Sequence, residues 1–405
     1  MFVSNAPEEG AKLTRAIVAG VGMIPFKKPD AANVYVAMGS EAARRALADA
    51  GLAYTNIQQA YVGYVYGDST CGQRALYEIG LSGAPIINVN NNCSTGSTAL
   101  YLARQAIESG AVDCVLALGF EQMKPGALGT VYQDRPSAFA QFDAEADKLV
   151  DAPGVPLALR YFGGAGLAHM KKYGTTLEAF AKIRAKASRH AKNNPLALFR
   201  KEVSAEDVLN DTPVWPGVMT RLMACPPTSG GAAAVLVSES YAKQHGLDGT
   251  VAIGAQSMTT DTPSTFESHD MMRLVGYDMT KAAAADVYEK AGIGPGELKV
   301  VELHDCFAHN ELITYEALGL CPEGGAQEFI QAGDNTYGGR VVTNPSGGLL
   351  SKGHPLGATG LAQCYELTRQ LRGSAGATQV EGVRHAIQHN LGLGSACVVT
   401  LYERT

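Results

Sequence analysis

Apolar runs rich in β-branched residues alternate along this chain with stretches of helical periodicity, and the alternation occurs twice. Residues 15–23 (RAIVAGVGM) and 250–258 (TVAIGAQSM) each read as a buried strand, with Met23 and Met258 235 residues apart. A helical stretch follows each, 33–51 and 277–292. Both close on Ala-Gly, and Gly51 and Gly292, separated by 241, suit the left-handed position just past a helix. Strands come next at 59–67 and 299–307. One order at a nearly fixed offset predicts two copies of a single α/β unit.

The offset then shifts. A polar turn enters a helix at 91–110 and again at 353–373, where Gly96 and Gly360 are 264 apart, so the second copy carries roughly 23 extra residues, expected within 310–345. The closing strands, 232–239 and 395–402, place Val235 and Val398 only 163 apart. The first copy therefore holds 101 extra residues between about 120 and 230, enough for a subdomain. The expected organisation is a first half at 12–121 and 211–245, an inserted segment at 122–210 and a second half at 246–405.

Composition narrows the class. With 405 residues, 46% hydrophobic and 18% charged, the chain can bury a large core, and a net charge of −6 disfavours a nucleic-acid partner. No apolar run approaches the about 18 to 20 residues of a membrane span. The opening MFVSNAPEEGAKL lacks a secretory pattern and the closing YERT is not an SKL-type address, so the expected location is cytoplasmic, with the peroxisome as alternative. Eight cysteines without a CxxC pair read as reduced thiols. Residues 171–202 carry nine Lys or Arg and two Glu, and 175–192 looks helical, with Thr175 and Glu178 spaced as a capping box and Asn194-Pro195 closing it. Such a run is either a solvated basic helix or a landing site for a small polyanion.

Four segments could carry chemistry. In VNNNCSTGS (89–97), Cys93 stands at a helix N-terminus, whose amides and dipole should depress its pKa. His354 lies in the glycine-rich turn NPSGGLLSKGHPLGATG (344–360), held by Pro355. Duplication brings the equivalent turns of the two copies together, giving a Cys–His pair for nucleophilic catalysis. VELHDCFAHNE (301–311) offers His304, Cys306, His309 and Glu311; the spacing fits no common zinc pattern, so a polar catalytic loop without metal is expected. HNLGLGSA (389–396) sets His389 and Asn390 before another glycine-rich turn.

Together NNNCSTGS, HDCF, GHPLGATG and QHNLGLG, with VGYVYGDSTCGQRA (62–75) and DNTYGG (334–339), resemble the thiolase superfamily in its SCP2-thiolase subgroup, over about 12–402. The resemblance implies a duplicated five-layered αβαβα fold with an inserted loop domain, and an acyltransferase that cleaves 3-oxoacyl-CoA with coenzyme A as co-substrate and no bound cofactor. It implies Cys93 as nucleophile, His354 as its activator and Cys306 as acid/base, with His304 in the family's Asn position and His389 in that of its final cysteine. Backbone amides of Cys93 and of the 391–394 turn (Gly392, Gly394) would form one oxyanion hole, and His354 with a water held by His304 the other. Lys182, Arg184, Lys186 and Arg189 would then hold the phosphates of CoA. A homodimer through the first-half sheet edge is expected. Ser229-Gly230-Gly231 departs from the subgroup's frequent Ser-Asp-Gly. Two alternatives share these residues: a ketoacyl-synthase-like condensing enzyme, and a lipid-binding or aldolase-type relative that keeps the fold alone. Cys306 speaks against the first and Cys93 against the second.

Overall fold

The computed structural model describes residues 14–32, 34–124, 132–394 and 396–405; the N-terminal segment read above, Asn33 and Ser395 lie outside them. The first copy supplies β1 (Ala16–Met23), α1 (Tyr35–Ala50), β2 (Gln59–Gly63), β3 (Ile86–Val89), α2 (Thr95–Glu108), β4 (Cys114–Glu121) and β5 (Gly230–Ser238). The second supplies β6 (Val251–Thr259), α3 (Tyr277–Ala291), β7 (Val300–Glu302), β8 (Val342–Thr343), α4 (Thr359–Arg372), β9 (His385–Gly392) and β10 (Ala396–Arg404). Both copies order their strands third, second, fourth, fifth, first, with the first three of that order parallel and the rest antiparallel. The two five-stranded arrays meet edge to edge at one pair, Ile17 and Ala252. Gly51 and Gly292 close α1 and α3 with φ of 68° and 67°, the left-handed geometry that favours glycine.

Layering follows from which faces are apolar. β4 and β5 are buried throughout, as strands covered on both faces must be. Helix α1 covers one side of the first array, α3 covers the far side of the second, and α2 and α4 pack together between the arrays. The central crossing needs two facing glycines. A Cβ on Gly96 would stand 2.7 Å from the Gly357 carbonyl oxygen, and one on Gly360 would stand 2.2 Å from Ser97 Oγ. That close approach is what sets the two functional turns side by side.

The second copy's extra residues are more spread than expected. Between paired strand positions, Val300 to Val342 spans 42 residues against 26 from Ala60 to Ile86, and Val342 to Gly360 spans 18 against 10 from Ile86 to Gly96. One third of the expansion therefore follows β8 and forms the turn that leads to His354.

Between β4 and β5 lie helices Ala140–Leu149, Leu157–Tyr173, Leu177–Ala191 and Ala205–Leu209 and a ribbon pairing Pro213–Trp215 with Met219–Thr220. The basic helix Leu177–Ala191 buries two of its four Lys and Arg side chains and leaves the other two, like the cations that flank it, toward solvent. Its cap is Thr176, with no side-chain cap bond; Thr175 Oγ1 is instead 2.7 Å from His169 Nδ1. Arg184 and Lys186 are 3% and 2% exposed. Lys186 pairs with the buried Glu311, and its Nζ donates to the Thr343 carbonyl (3.2 Å); Arg184 Nη1 donates to Ser351 Oγ (2.6 Å). Only Lys182, paired with Glu178 at 3.0 Å, and the exposed Arg189 remain on the outer face. The helix clasps the insertion to the second copy. Among the described residues, no helix is long and apolar enough to cross a membrane.

Candidate active site

Cys93 sits on the turn between β3 and α2. Asn92 holds a left-handed φ of 49°, accepts Thr95 Oγ1–H at its carbonyl (2.6 Å) and donates from Nδ2 to the Leu393 carbonyl (3.2 Å), which ties the turn to the second copy. His354 enters from the turn before α4, and His304 from the end of β7. The Cys93 sulfur and one ring nitrogen from each of His304 and His354 lie within 4.8 Å of one another. The two imidazoles meet edge-on, with centroids 4.9 Å apart and planes at 84°.

Hydrogen bonds fix the tautomers of both rings. Thr359 Oγ1 gives its proton to the Pro355 carbonyl (3.0 Å), so at 2.7 Å it must accept from His354 Nδ1–H. His354 Nε2 then carries the lone pair, and it is buried with no hydrogen-bond partner. His304 is the reverse. Asn390 Nδ2 donates to the Cys93 carbonyl (3.1 Å) and to His304 Nδ1 (3.0 Å), which leaves the proton of the neutral ring on Nε2. The pair thus presents one acceptor and one donor. It also works against a metal: a neutral His304 binding through Nε2 would need its proton on Nδ1, where Asn390 already donates.

Burial decides the protonation states. Cys93, expected to be acidic, is pushed up to about 12, first by burial and then by the nearby Glu121, against which the amides of Cys93 and Leu393 act. Burial lowers His354 to about 3. The resting pair is therefore a neutral thiol beside a neutral imidazole. Cys306 is held well above the usual thiol range by burial and then by the neighbouring Cys225 and Cys93 thiols. Cys225, which the sequence reading passed over, belongs to the site: Ala224 bridges Phe307, and Cys225 N–H donates to the Cys306 carbonyl at 2.9 Å. Its segment lies between the insertion and β5, so only folding sets it opposite HDCF.

Two expected residues lie elsewhere. His389 is fully buried on the other face of β9 from Asn390, with Nε2 3.0 Å from Thr280 Oγ1 and Nδ1 accepting the His304 amide at 3.4 Å. It supports the His304 backbone; strand alternation turns Asn390, and not His389, toward the Cys93 carbonyl and the His304 ring. Gly392 is paired with Ala396 within the β9–β10 hairpin, while Leu393 and Gly394 line the cavity. His309, stacked on Phe180, and the Lys186-paired Glu311 are structural.

Cys93, Cys225, Cys306 and His354 wall a cavity of about 690 Å³, roofed by insertion residues such as Tyr132, Arg135, Phe139, Leu159 and Phe162. That volume suits a small-molecule ligand. None of Lys182, Arg184, Lys186 and Arg189 lines it; Arg135 is its only Lys or Arg among the described residues. Behind the thiol, Glu121 accepts the amides of Val65, Tyr66 and Gly357, each at 3.0 Å, and joins both copies at the His354 turn. At Gly230 a Cβ would lie 2.3 Å from the Phe26 ring and 3.2 Å from Pro355, so Phe26 fills the space a Ser-Asp-Gly side chain would take.

Residues 16–214 match the family model "Thiolase, N-terminal domain", and 260–404 match "Thiolase C-terminal domain-like". The chain is 54% identical to sterol carrier protein 2 of Oryctolagus cuniculus over 99% of its own length and 74% of that protein's. Two solved structures share the fold. The Ltp2-ChsH2(DUF35) aldolase has a TM-score of 0.80 at 21% identity, covering 96% of this chain and 98% of that one. Human mitochondrial 3-ketoacyl-CoA thiolase in complex with CoA has a TM-score of 0.71 at 18% identity, covering 97% and 98%. With this ancestry and this pairing of thiols and imidazoles, the chain belongs to the thiolase family, in the sterol carrier protein 2 group, and is a thiolase-type acyltransferase.

Proposed function

We propose that the protein is a 3-oxoacyl-CoA thiolase, acting as a homodimer in fatty-acid or sterol side-chain β-oxidation. The observation that carries this reading is the convergence of Cys93, His304 and His354 within 4.8 Å at the foot of a cavity that Cys306 also walls.

His354 Nε2 takes the Cys93 proton as the sulfur adds to the 3-keto carbon; with both groups neutral at rest, transfer accompanies attack. Amides of Cys93 and Leu393, which face the sulfur, are placed to hold the developing alkoxide. Collapse breaks the C2–C3 bond and leaves acyl-Cys93 and an acetyl-CoA enolate. The enolate oxygen is met by His304 Nε2–H and its carbon takes the proton of Cys306, a thiol that burial keeps protonated. Incoming CoA gives its proton to the Cys306 thiolate and attacks the acyl group; departing Cys93 recovers its proton from His354. Arg135, at the cavity wall, is held by Asp134 at 2.8 Å with both side chains exposed, and would exchange that carboxylate for the CoA phosphates.

Incubation with a 3-oxoacyl-CoA should add the shortened acyl mass to Cys93. Cys306→Ala should lower thiolysis about 10²–10⁴-fold, the usual contribution of a positioned acid. A ketoacyl-synthase-type enzyme, which decarboxylates and needs no such proton, would keep its rate. An aldolase-type relative would leave Cys93 unmodified.

A further inference from the structure

The thiol–imidazole centre is wired from behind by side chains that touch no substrate. Tyr402, Gln388, Ser97 and Asn390 are fully buried and His304 is 1% exposed. Tyr402 O–H donates to Gln388 Oε1, and Gln388 Nε2 donates to the Gly360 carbonyl (2.8 Å) and to Ser97 Oγ (2.6 Å). A backbone carbonyl can only accept, so Gly360 fixes which end of the Gln388 amide is nitrogen. Ser97, having accepted, gives its single proton to Asn390 Oδ1 at 2.8 Å. The Cys93 carbonyl fixes the Asn390 amide in the same way, and the remaining Nδ2 proton points at His304 Nδ1. Two carbonyls on opposite sides of the α2–α4 crossing thus orient every donor in the row.

We infer that Gln388, Ser97 and Asn390 are positioning residues whose hydrogen-bond polarity holds His304 in the Nε2–H form, so that it presents a donor beside the lone pair of His354. The row spans the duplication: Ser97 comes from α2 of the first copy, while Gln388 and Asn390 come from β9 of the second. In a dry interior a reversed bond leaves two donors or two acceptors facing each other, so the polarity propagates along the row. A free imidazole exchanges tautomers readily; this one cannot do so without turning a buried amide over.

The consequence for rate rests on the thiolase reading; the tautomer itself does not. The test is nitrogen NMR of the full-length enzyme labelled with ¹⁵N-histidine, without substrate, with the His304 signals assigned from a His304→Asn sample. His304 should be protonated at Nε2 and His354 at Nδ1. In Asn390→Asp, a carboxylate that only accepts, the His304 proton should move to Nδ1 and kcat for thiolysis should fall about 10²–10³-fold, the loss usual for one oxyanion donor, with KM little changed. Ser97→Ala should divide the proton between the two nitrogens, and Ser97→Thr, which restores a hydroxyl, should recover kcat. Finding Nδ1–H on His304 in the unaltered enzyme overturns the inference, as does an Asn390→Asp enzyme whose proton moves while kcat stands. Should the variants not fold, the unaltered enzyme's spectrum still decides. An enzyme with the expected spectrum that thiolyses nothing defeats the functional reading alone.

Discussion

A buried carboxylate stands behind the reactive thiol, and its cost has a measurable sign. Burial pushes Glu121 up to about 7, against the pull of the three amides that bond it. Above the ordinary carboxyl range the unfolded chain loses this proton while the folded one keeps it, so the folded state is disfavoured progressively as pH rises from about 4.5 to about 7 and levels off beyond. The full difference is about 3 kcal/mol as an upper bound. Glu121→Gln removes the titration and, by placing an NH₂ before amide donors, loses an acceptor at every pH. The variant should therefore melt below the parent at pH 5 and close the gap by pH 8. A gap that stays constant across that range would mean Glu121 does not titrate there. The sequence contains this residue but not its burial, and the Cys93 expectation failed for the same reason: a helix N-terminus favours the thiolate, yet desolvation outweighs it. His389 was misjudged for a different cause. A position inherited by resemblance names a column, whereas strand alternation lets only one of His389 and Asn390 face Cys93 and the His304 ring.

Among the elements, helix Leu177–Ala191 separates charge count from charge function. Lys186 is buried against Glu311, and removing one partner of such a pair costs about 3–5 kcal/mol because the other is left unpaired. Lys186→Ala should therefore lower the melting temperature by many degrees and leave KM for CoA esters within about twofold in whatever protein stays folded at low temperature. Arg135→Ala should do the opposite, raising KM steeply at low salt with the melting temperature unchanged. A Lys186 variant that is stable but binds CoA esters poorly would return the phosphate site to this helix. The elements themselves were legible. Fully buried strands appear as unbroken apolar runs, and the two αL glycines mark helix ends without ambiguity. What charge runs do not disclose is which face of a helix meets a partner from 125 residues away, as Lys186 meets Glu311. Cys225 was hidden by the same distance: nothing in residues 224–227 marks them as facing HDCF until the insertion folds back.

For the molecule as a whole, the ten-stranded sheet leaves its two ends in different states. β8 has two residues, both buried, whereas all four residues of β3 are half-buried and, among the described residues, bonded to β2 on one side only. Leu81 and Tyr77, 80% and 53% exposed, lie on the segment that leads into β3. An open strand edge beside exposed apolar side chains invites pairing with another chain, and a second copy meeting it about a twofold axis would continue the sheet without introducing a new edge. The homodimer proposed above would place its seam here. β3 ends at Val89, four residues before Cys93, so such a seam would also brace the turn that holds the nucleophile. Sedimentation at micromolar concentration should give twice the chain mass, and a Tyr77→Lys/Leu81→Lys variant should sediment as a single chain with reduced thiolysis. A single-chain mass for the unaltered protein would remove the dimer. A variant that stays dimeric would move the seam elsewhere, and one that dissociates at full activity would show that Cys93 is held by its own chain's Asn92–Leu393 and Asn390 contacts alone.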